Sequence, residues 1–253
     1  MRILSLAFIS TIILVGLSFR SVTKDKIESS NYFMPDTTIL PKIDSNYAVK
    51  LLIPGKFKLD DIKFDATTMP WFALMKNGSF FSIQKHIPEQ TKIIDSDKSE
   101  KWEIKEHDSL KTILMVSGVE MLEKEVIEMK LGNKTFNVGD RLELNYNGKK
   151  FVVTADGDEQ KDKSTKKKYI ANYRLYIAPL KKEKNRTLLV YHKRVDDVFP
   201  NIIFMGDLDN DKKPDLIMNN TVSANENHLT LFMTNNSPKG KMFKVMGVFN
   251  YSK

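Results

Sequence analysis

The chain has 253 residues, 41% of them hydrophobic and 28% charged, which suits one large or two modest globular domains and excludes a wholly disordered chain. It carries a net charge of +8 and no cysteine, which excludes disulfides and a lipidated N-terminal cysteine. A core, hydrogen bonds or a bound ion must therefore hold the fold.

The first residues, MRILSLAFISTIILVGLSF, place one basic residue, Arg2, ahead of an apolar run from Ile3 to Phe19. That is the shape of a secretory signal peptide, expected over residues 1–20 with Gly16 and Ser18 as the small residues near a cleavage site. Uncleaved, the same run approaches the roughly 18-residue threshold of a membrane anchor. Residues 21–45 are polar, hold Pro35 and Pro41, and read as a linker. The high lysine, isoleucine and asparagine content without cysteine suits a secreted or periplasmic bacterial protein.

Beyond the linker the pattern is one of strands. Tyr47–Ile53 alternates in part and stops at the turn signal Pro54-Gly55. WFALMKNGSFFSIQ predicts a hairpin turning at Asn77-Gly78, and LNYNGKKFVVTA a second turning at Asn147-Gly148, because these residues accept positive φ. Further strands are expected at 110–116, 126–131, 170–177, 187–192, 228–233 and 242–249. The best helix-like window is GVEMLEKEVIEMKL, where Val119, Leu122, Val126 and Met129 fall near helical spacing, although a strand from Val126 competes. Short strands with turn signals between them and little helix predict a mainly β fold, an antiparallel sandwich or curved sheets. The expected division is a β-rich region over 46–118 and a second β-rich domain over 119–253, parted near Ser117-Gly118.

The sharpest motif is IIFMGDLDNDKKPDLIM, residues 202–218, which sets Asp207, Asp209, Asp211 and Asp215 between two apolar runs. Carboxylates at the first, third, fifth and ninth positions of a tight loop can converge on one point, and the carbonyl of Lys213 at the seventh could complete the ring. Such a set of hard oxygens suits calcium, which takes six to eight ligands at about 2.3–2.6 Å in tolerant geometry. Zinc would ask for nitrogen or sulfur, and no histidine or cysteine stands nearby. A merely acidic, solvated turn is the competing reading. TADGDEQKD, with Asp156, Asp158 and Asp162, is a weaker second candidate, and Asp95 with Asp97 a weaker third.

GDLDNDKKPDLI resembles the calcium loop of FG-GAP and VCBS-type repeats, whose usual form is G-D-x-[DN]-x-D-G-x-x-D-[LF]. The resemblance covers about fifteen residues and implies side-chain ligands from Asp207, Asp209, Asp211 and Asp215, with a backbone oxygen from Lys213. One position departs: where the family has glycine this chain has Lys212, so a positive φ there would be strained by on the order of 1–2 kcal/mol. That departure and the two adjacent lysines imply weakened binding. An EF-hand is disfavoured, since its twelfth-position glutamate is Met218 here. The motif occurs in one good copy, so a full propeller is not expected.

Other chemistry is poorly signalled. His86, His107, His192 and His228 show no metal-ligand spacing, His107-Asp108-Ser109 lacks a nucleophile elbow, and no phosphate loop or dinucleotide fingerprint occurs. Trp71, Trp102, Phe72, Phe80 and Phe81 could offer a sugar-stacking face, although core packing explains them more simply. The lysine-rich stretch from Lys161 to Lys168 could meet an anionic glycan or the envelope surface. Nucleic acid is not expected there, because no aromatic residues interleave with the lysines, and a membrane only through an uncleaved N-terminus. The expected function is that of an exported, non-catalytic β-rich protein with one calcium-stabilised loop, a binding or structural module at the bacterial envelope. The alternative is a secreted hydrolase of polysaccharide or peptide whose carboxylates the sequence does not assemble.

Overall fold

The computed structural model describes residues 47–105, 110–131, 135–222, 225–235, 237 and 241–252. The signal-like segment, the linker and His107-Asp108-Ser109 lie outside the described residues. In chain order the strands are β1 (Lys50–Leu52), β2 (Gly55–Lys58), β3 (Trp71–Asn77), β4 (Phe80–His86), β5 (Gln90–Ile94), β6 (Glu100–Ile104), β7 (Lys111–Ser117) and β8 (Lys124–Val126). They continue as β9 (Arg141–Tyr146), β10 (Lys149–Lys161), β11 (Lys168–Pro179), β12 (Thr187–Val195), β13 (Asn201–Gly206), β14 (Asp215–Asn219), β15 (Glu226–Met233) and β16 (Lys244–Ser252). Three single 3-10 turns, at Leu59–Asp61, Ala66–Thr68 and Leu180–Lys182, are the helical residues among those described. The fold is mainly β, in four antiparallel sheets ordered β1-β7-β3-β4-β8, β2-β6-β5, β9-β10-β11-β12 and β13-β14-β15-β16.

The β13–β16 sheet explains the most apolar stretches of the sequence. Phe204, Ile217, Leu229, Leu231 and Met233 pack into one core with Leu52, Leu74 and Met115 from the β1–β8 sheet. Ile202, Met205, Leu216, Met218 and Phe232 turn to the other side and join Val153, Leu175 and Val190 of the β9–β12 sheet. With a core on each face, every position of Asp215–Met218 is buried, so the strand reads as a continuous run rather than an alternation. Phe57 carries the three-stranded sheet onto the same assembly, its ring 5.4 Å from Phe249 and 5.2 Å from Tyr251. Core residues on both sides of Ser117-Gly118, from Val49 to Phe249, share one cluster, so no core boundary falls there.

The turns divide by chemistry. At Asn147-Gly148 both residues have positive φ, 49° and 75°, and Tyr146 pairs with Lys149, as expected of that hairpin. The other hairpin turns one residue later than expected. Asn77 pairs with Phe80, the central residues are Gly78 and Ser79, and Gly78 alone has positive φ (58°), as in turns with glycine first.

Two expectations fail for reasons of packing. The helix-like window is not helical: within 118–131 the regular element is β8, which ends where the strand expected at 126–131 would begin and pairs its Val126 to Phe81, and the Met129 amide bonds Met205 O at 2.8 Å. Met121 and Val126 enter the first core and Met129 the second, while Leu122 and Ile127 are 55% and 83% exposed. A helix would aim one stripe at one core, whereas this segment crosses between two. TADGDEQKD is likewise not a loop but part of β10, interrupted by a bulge between Asp156 and Asp158. Gly157 serves the bulge because a Cβ there would lie 2.6 Å from Ile170. Strands β2, β5 and β6 are additions that the sequence pattern did not single out.

His192 on β12 is 2% exposed, and burial lowers its pKa from 6.5 to about 4. Between those values the unfolded chain binds a proton that the folded protein refuses, so this residue's contribution is intact above pH 6.5 and lost as pH falls towards 4. The loss amounts to about 3 kcal/mol at most. Denaturant unfolding at pH 4.5 and 7 is expected to show a smaller acid loss for His192→Leu than for the natural protein.

Candidate metal centre

The acidic motif forms the tip of the β13–β14 hairpin, with Gly206 paired to Asp215 at its base. Gly206 has no space for a side chain: a Cβ would lie 2.6 Å from the carbonyl oxygen of Ile127 and 2.8 Å from the Phe204 ring. The crossing segment 118–131 therefore presses directly against the base of the loop. Leu208, 2% exposed, plugs into the first core and leaves its neighbours Asp207 and Asp209 on the other side of the chain.

Asp215 is fully buried and anchors the loop. The Leu208 amide donates to Asp215 Oδ2 at 2.8 Å and the Thr234 amide to Oδ1 at 3.0 Å. Burial outweighs these donors and, with the charges of Asp209 and Asp211, pushes the Asp215 pKa up to about 7. Asp209 is also raised, by burial first and then by the charge of Asp211. The Asp207, Asp209 and Asp215 carboxylates each bring an oxygen within 4.8 Å of the others.

Among the described residues, two oxygens of this trio lack hydrogen-bond partners. Asp207 Oδ1 and Asp209 Oδ2 are inaccessible to solvent and meet no donor among those residues at hydrogen-bond geometry; Lys124 Nζ lies 3.6 Å from Asp207 Oδ1, and the Asn235 side chain is close enough to pull against the rise in the Asp209 pKa. The remaining oxygens shape the turn: Asp207 Oδ2 accepts the Lys212 amide at 3.0 Å and Asp209 Oδ1 the Asp211 amide at 3.2 Å. The β9–β10 turn meets the loop, where the Asn147 side-chain amide donates to Lys212 O at 3.4 Å, and the Tyr146 pKa beside it is raised by burial and by the negative charge of Asp207.

The structure thus brings three of the four expected aspartates together. Asp211 stands outside the trio: its Oδ1 accepts the Lys213 amide at 2.8 Å, and its Oδ2 takes the Lys213 ammonium at 2.8 Å and the Thr234 hydroxyl at 3.3 Å. Burial presses the Asp211 pKa upwards, but Lys213 and Thr234 together hold it below its ordinary value. Two contributors were not legible in the motif, Lys124 and Thr234, because they reach the loop from β8 and from the residue that follows β15. Met218, at the twelfth position, is buried in the second core.

The weaker candidates are taken up by the protein's own cations and donors. Asp156 pairs with Arg186 at 3.0 Å, Asp158 accepts from Asn172 at 3.3 Å, and Asp162 pairs with Arg194 at 3.0 Å. Asp95 and Asp97 share the Lys101 ammonium, at 2.6 and 3.3 Å, and Asp95 also holds Lys56 at 3.3 Å. Trp71 is a core residue whose indole donates to Ala66 O at 2.7 Å, so it offers no sugar-stacking surface. Two surface cavities of about 450 and 330 Å³ lie beside β4–β8 and between β1 and β16, and neither is lined by Asp209 or Asp215. No family model matches the chain, and neither a curated protein nor a solved structure matches it. No helix among the described residues is long and apolar enough to cross a membrane.

Lys212 has φ 64°, the left-handed value for which glycine is suited. Lys212→Gly relieves that strain at the expense of a freer unfolded chain, and a net gain of about 0.5–1 kcal/mol is expected in chemical denaturation.

Proposed function

We propose that the 207–215 loop binds one calcium ion as the FG-GAP and VCBS-type loops do, and that the protein is an exported, non-catalytic β-rich module with a binding or structural role at the bacterial envelope. The supporting observation is the pair of solvent-inaccessible carboxylate oxygens, Asp207 Oδ1 and Asp209 Oδ2, that have no hydrogen-bond partner among the described residues, beside the buried Asp215. Hidden carboxylate oxygens without donors are destabilising unless something positive meets them. A lysine ammonium at 3.6 Å meets one of them at long range. A hard divalent cation would meet the trio at once.

Asp207, Asp209 and Asp215 would supply the side-chain oxygens and Lys213 a carbonyl, while Asp211 joins by exchanging its Lys213 ammonium for the ion. A calcium ion supplies neutralising charge here, and the chain's own part is to hold the β13–β14 connection to Thr234 and Leu208. The role is cohesion of the sheet shared by both cores. Export rests on the signal-like N-terminus, and the envelope role on that segment together with the basic surface.

Isothermal calorimetry with calcium chloride tests the metal, with a dissociation constant of about 10⁻⁴–10⁻³ M expected for an extracellular module. At ten times that constant, linkage adds about 1.4 kcal/mol, a rise of about 3–5 °C in melting temperature. Asp209→Ala is expected to lose both the heat and the rise. No heat and no thermal shift in the natural protein at 10 mM calcium, on the order of ten times the upper constant, would remove the proposal.

A further inference from the structure

The net positive charge of this protein comes from one sheet. Residues 141–195, which build β9–β12, hold fifteen lysines and arginines against six aspartates and glutamates, a surplus of nine. The whole chain has a surplus of eight, so everything outside this sheet is left at minus one. The inner face of the sheet is committed to the second core through Phe151, Val153, Leu175 and Ile177, which sends the charge to the outer face and its rims. Fourteen of the fifteen basic residues are exposed, and the other, Arg174, is half-buried.

The few acids present are already engaged. Glu143 and Glu183 hold Arg141, Asp156 holds Arg186, Glu159 holds Lys168, and Asp162 holds Arg194. The remaining basic residues of the sheet make no ion pair among the described residues. They gather at the two ends of β11. One rim is the turn after β10, with Lys163, Lys166 and Lys167; the other is the 3-10 turn after β11, with Lys181, Lys182 and nearby Lys184. Arg174 stands between them on β11, its guanidinium 5.5 Å from the Tyr191 ring centre.

The two rims are separated by the length of β11, about 36 Å for a strand of twelve residues. That is several times the Debye length of about 8–10 Å, so a small anion at one rim does not feel the other. An extended polyanion feels both. From this arrangement we infer that the outer face of the β9–β12 sheet binds a linear acidic polysaccharide, laid along β11 with its carboxylate or sulfate groups on the two lysine rims and Arg174. This deepens the binding role proposed above and does not depend on calcium.

The surface suits other polyanions less well. The exposed large apolar residues, Phe80, Ile87, Ile94, Leu122, Ile127 and Val138, all lie outside 141–195, so the face has nothing to insert into a bilayer. Nucleic acid would ask for open aromatic rings, but those of Tyr176 and Tyr169 are each covered by an arginine, with Arg186 at 3.9 Å and Arg194 at 4.1 Å.

The test is calorimetric titration of the full chain with heparin fragments of about twelve and about four sugar units at two salt concentrations, the longer chosen to span a strand-length face. The longer fragment is expected to bind at least tenfold more tightly. Two triple variants, Lys163→Gln with Lys166→Gln and Lys167→Gln, and Lys181→Gln with Lys182→Gln and Lys184→Gln, are each expected to lower that affinity at least fivefold and to flatten its salt dependence. Their melting temperatures should match the natural protein, since all six lysines are exposed. A control that removes Lys58, Lys98 and Lys111, exposed on other elements, is expected to bind as the natural protein does. Asp209→Ala should bind the longer fragment within twofold of it, which separates this proposal from the calcium site. Equal affinity for both fragments, an unchanged affinity in either triple variant, an equal loss in the control, or tighter binding to anionic vesicles or single-stranded DNA would each overturn the inference.

Discussion

The carboxylate of Asp215 has no exposure to water, and the hairpin tip is organised around satisfying it. One oxygen takes the amide of Leu208, the other the amide of Thr234, so a single side chain fixes the start of the acidic loop and the end of β15. Leu208 can then enter the first core, and the alternation of the chain turns Asp207 and Asp209 together beside Asp215. The crowding of charge is a consequence of how the backbone is pinned. An uncompensated buried carboxylate is destabilising by several kcal/mol. The protein answers in part with two amides and in part by raising the group's pKa to about 7, which leaves a cation room to act.

The same pinning shows what the sequence could and could not reveal. Asp207, Asp209 and Asp215 were legible because their spacing is local and the loop is short. Asp211 carries the same side chain at an equally regular position, yet it leaves the cluster for Lys213 Nζ two residues away, a competition that spacing alone does not decide. Lys124 and Thr234 were invisible because sequence distance hides them: one comes from the edge of another sheet, the other from the end of β15. The glycine at the head of the motif, Gly206, has no positive φ. It is required because Ile127 O would lie 2.6 Å from a Cβ.

Strand prediction succeeded where one rule governed and failed where two elements competed. The Asn147-Gly148 turn carries its own geometry, so its hairpin was readable at once. Residues 118–131 have good helix formers at helical spacing, but propensities of a few tenths of a kcal/mol per residue do not withstand burial in two separate cores. Met121 and Met129 are eight positions apart and serve different cores, a demand visible only after the sheets are assembled. Strands β2, β5 and β6 are short and half-exposed, with Lys56, Lys58 and Lys92 turned to solvent, so their patterns carry little hydrophobic contrast.

A chain without cysteine has to obtain rigidity from layers, and burying the β13–β16 sheet on both faces does this at the expense of surface. Both faces of that sheet are occupied by core, so neither is free for a partner. Recognition is left to the outer faces of the sheets on either side and to the hairpin tips that project from the edges. The acidic tip and the basic sheet are where the charge accumulates for that reason. They also touch, since Asn147, at the turn between β9 and β10, donates its side-chain amide to Lys212 O at 3.4 Å. Lys149 and Lys150 follow that turn, so one rim of the basic face begins beside the cluster of carboxylates. Neutralising the loop therefore removes a nearby negative field from that rim, a screened effect that falls away within about one Debye length and leaves the distant rim unchanged. The two proposed sites are thus coupled weakly and at one end only, through the turn that Asn147 ties to the loop.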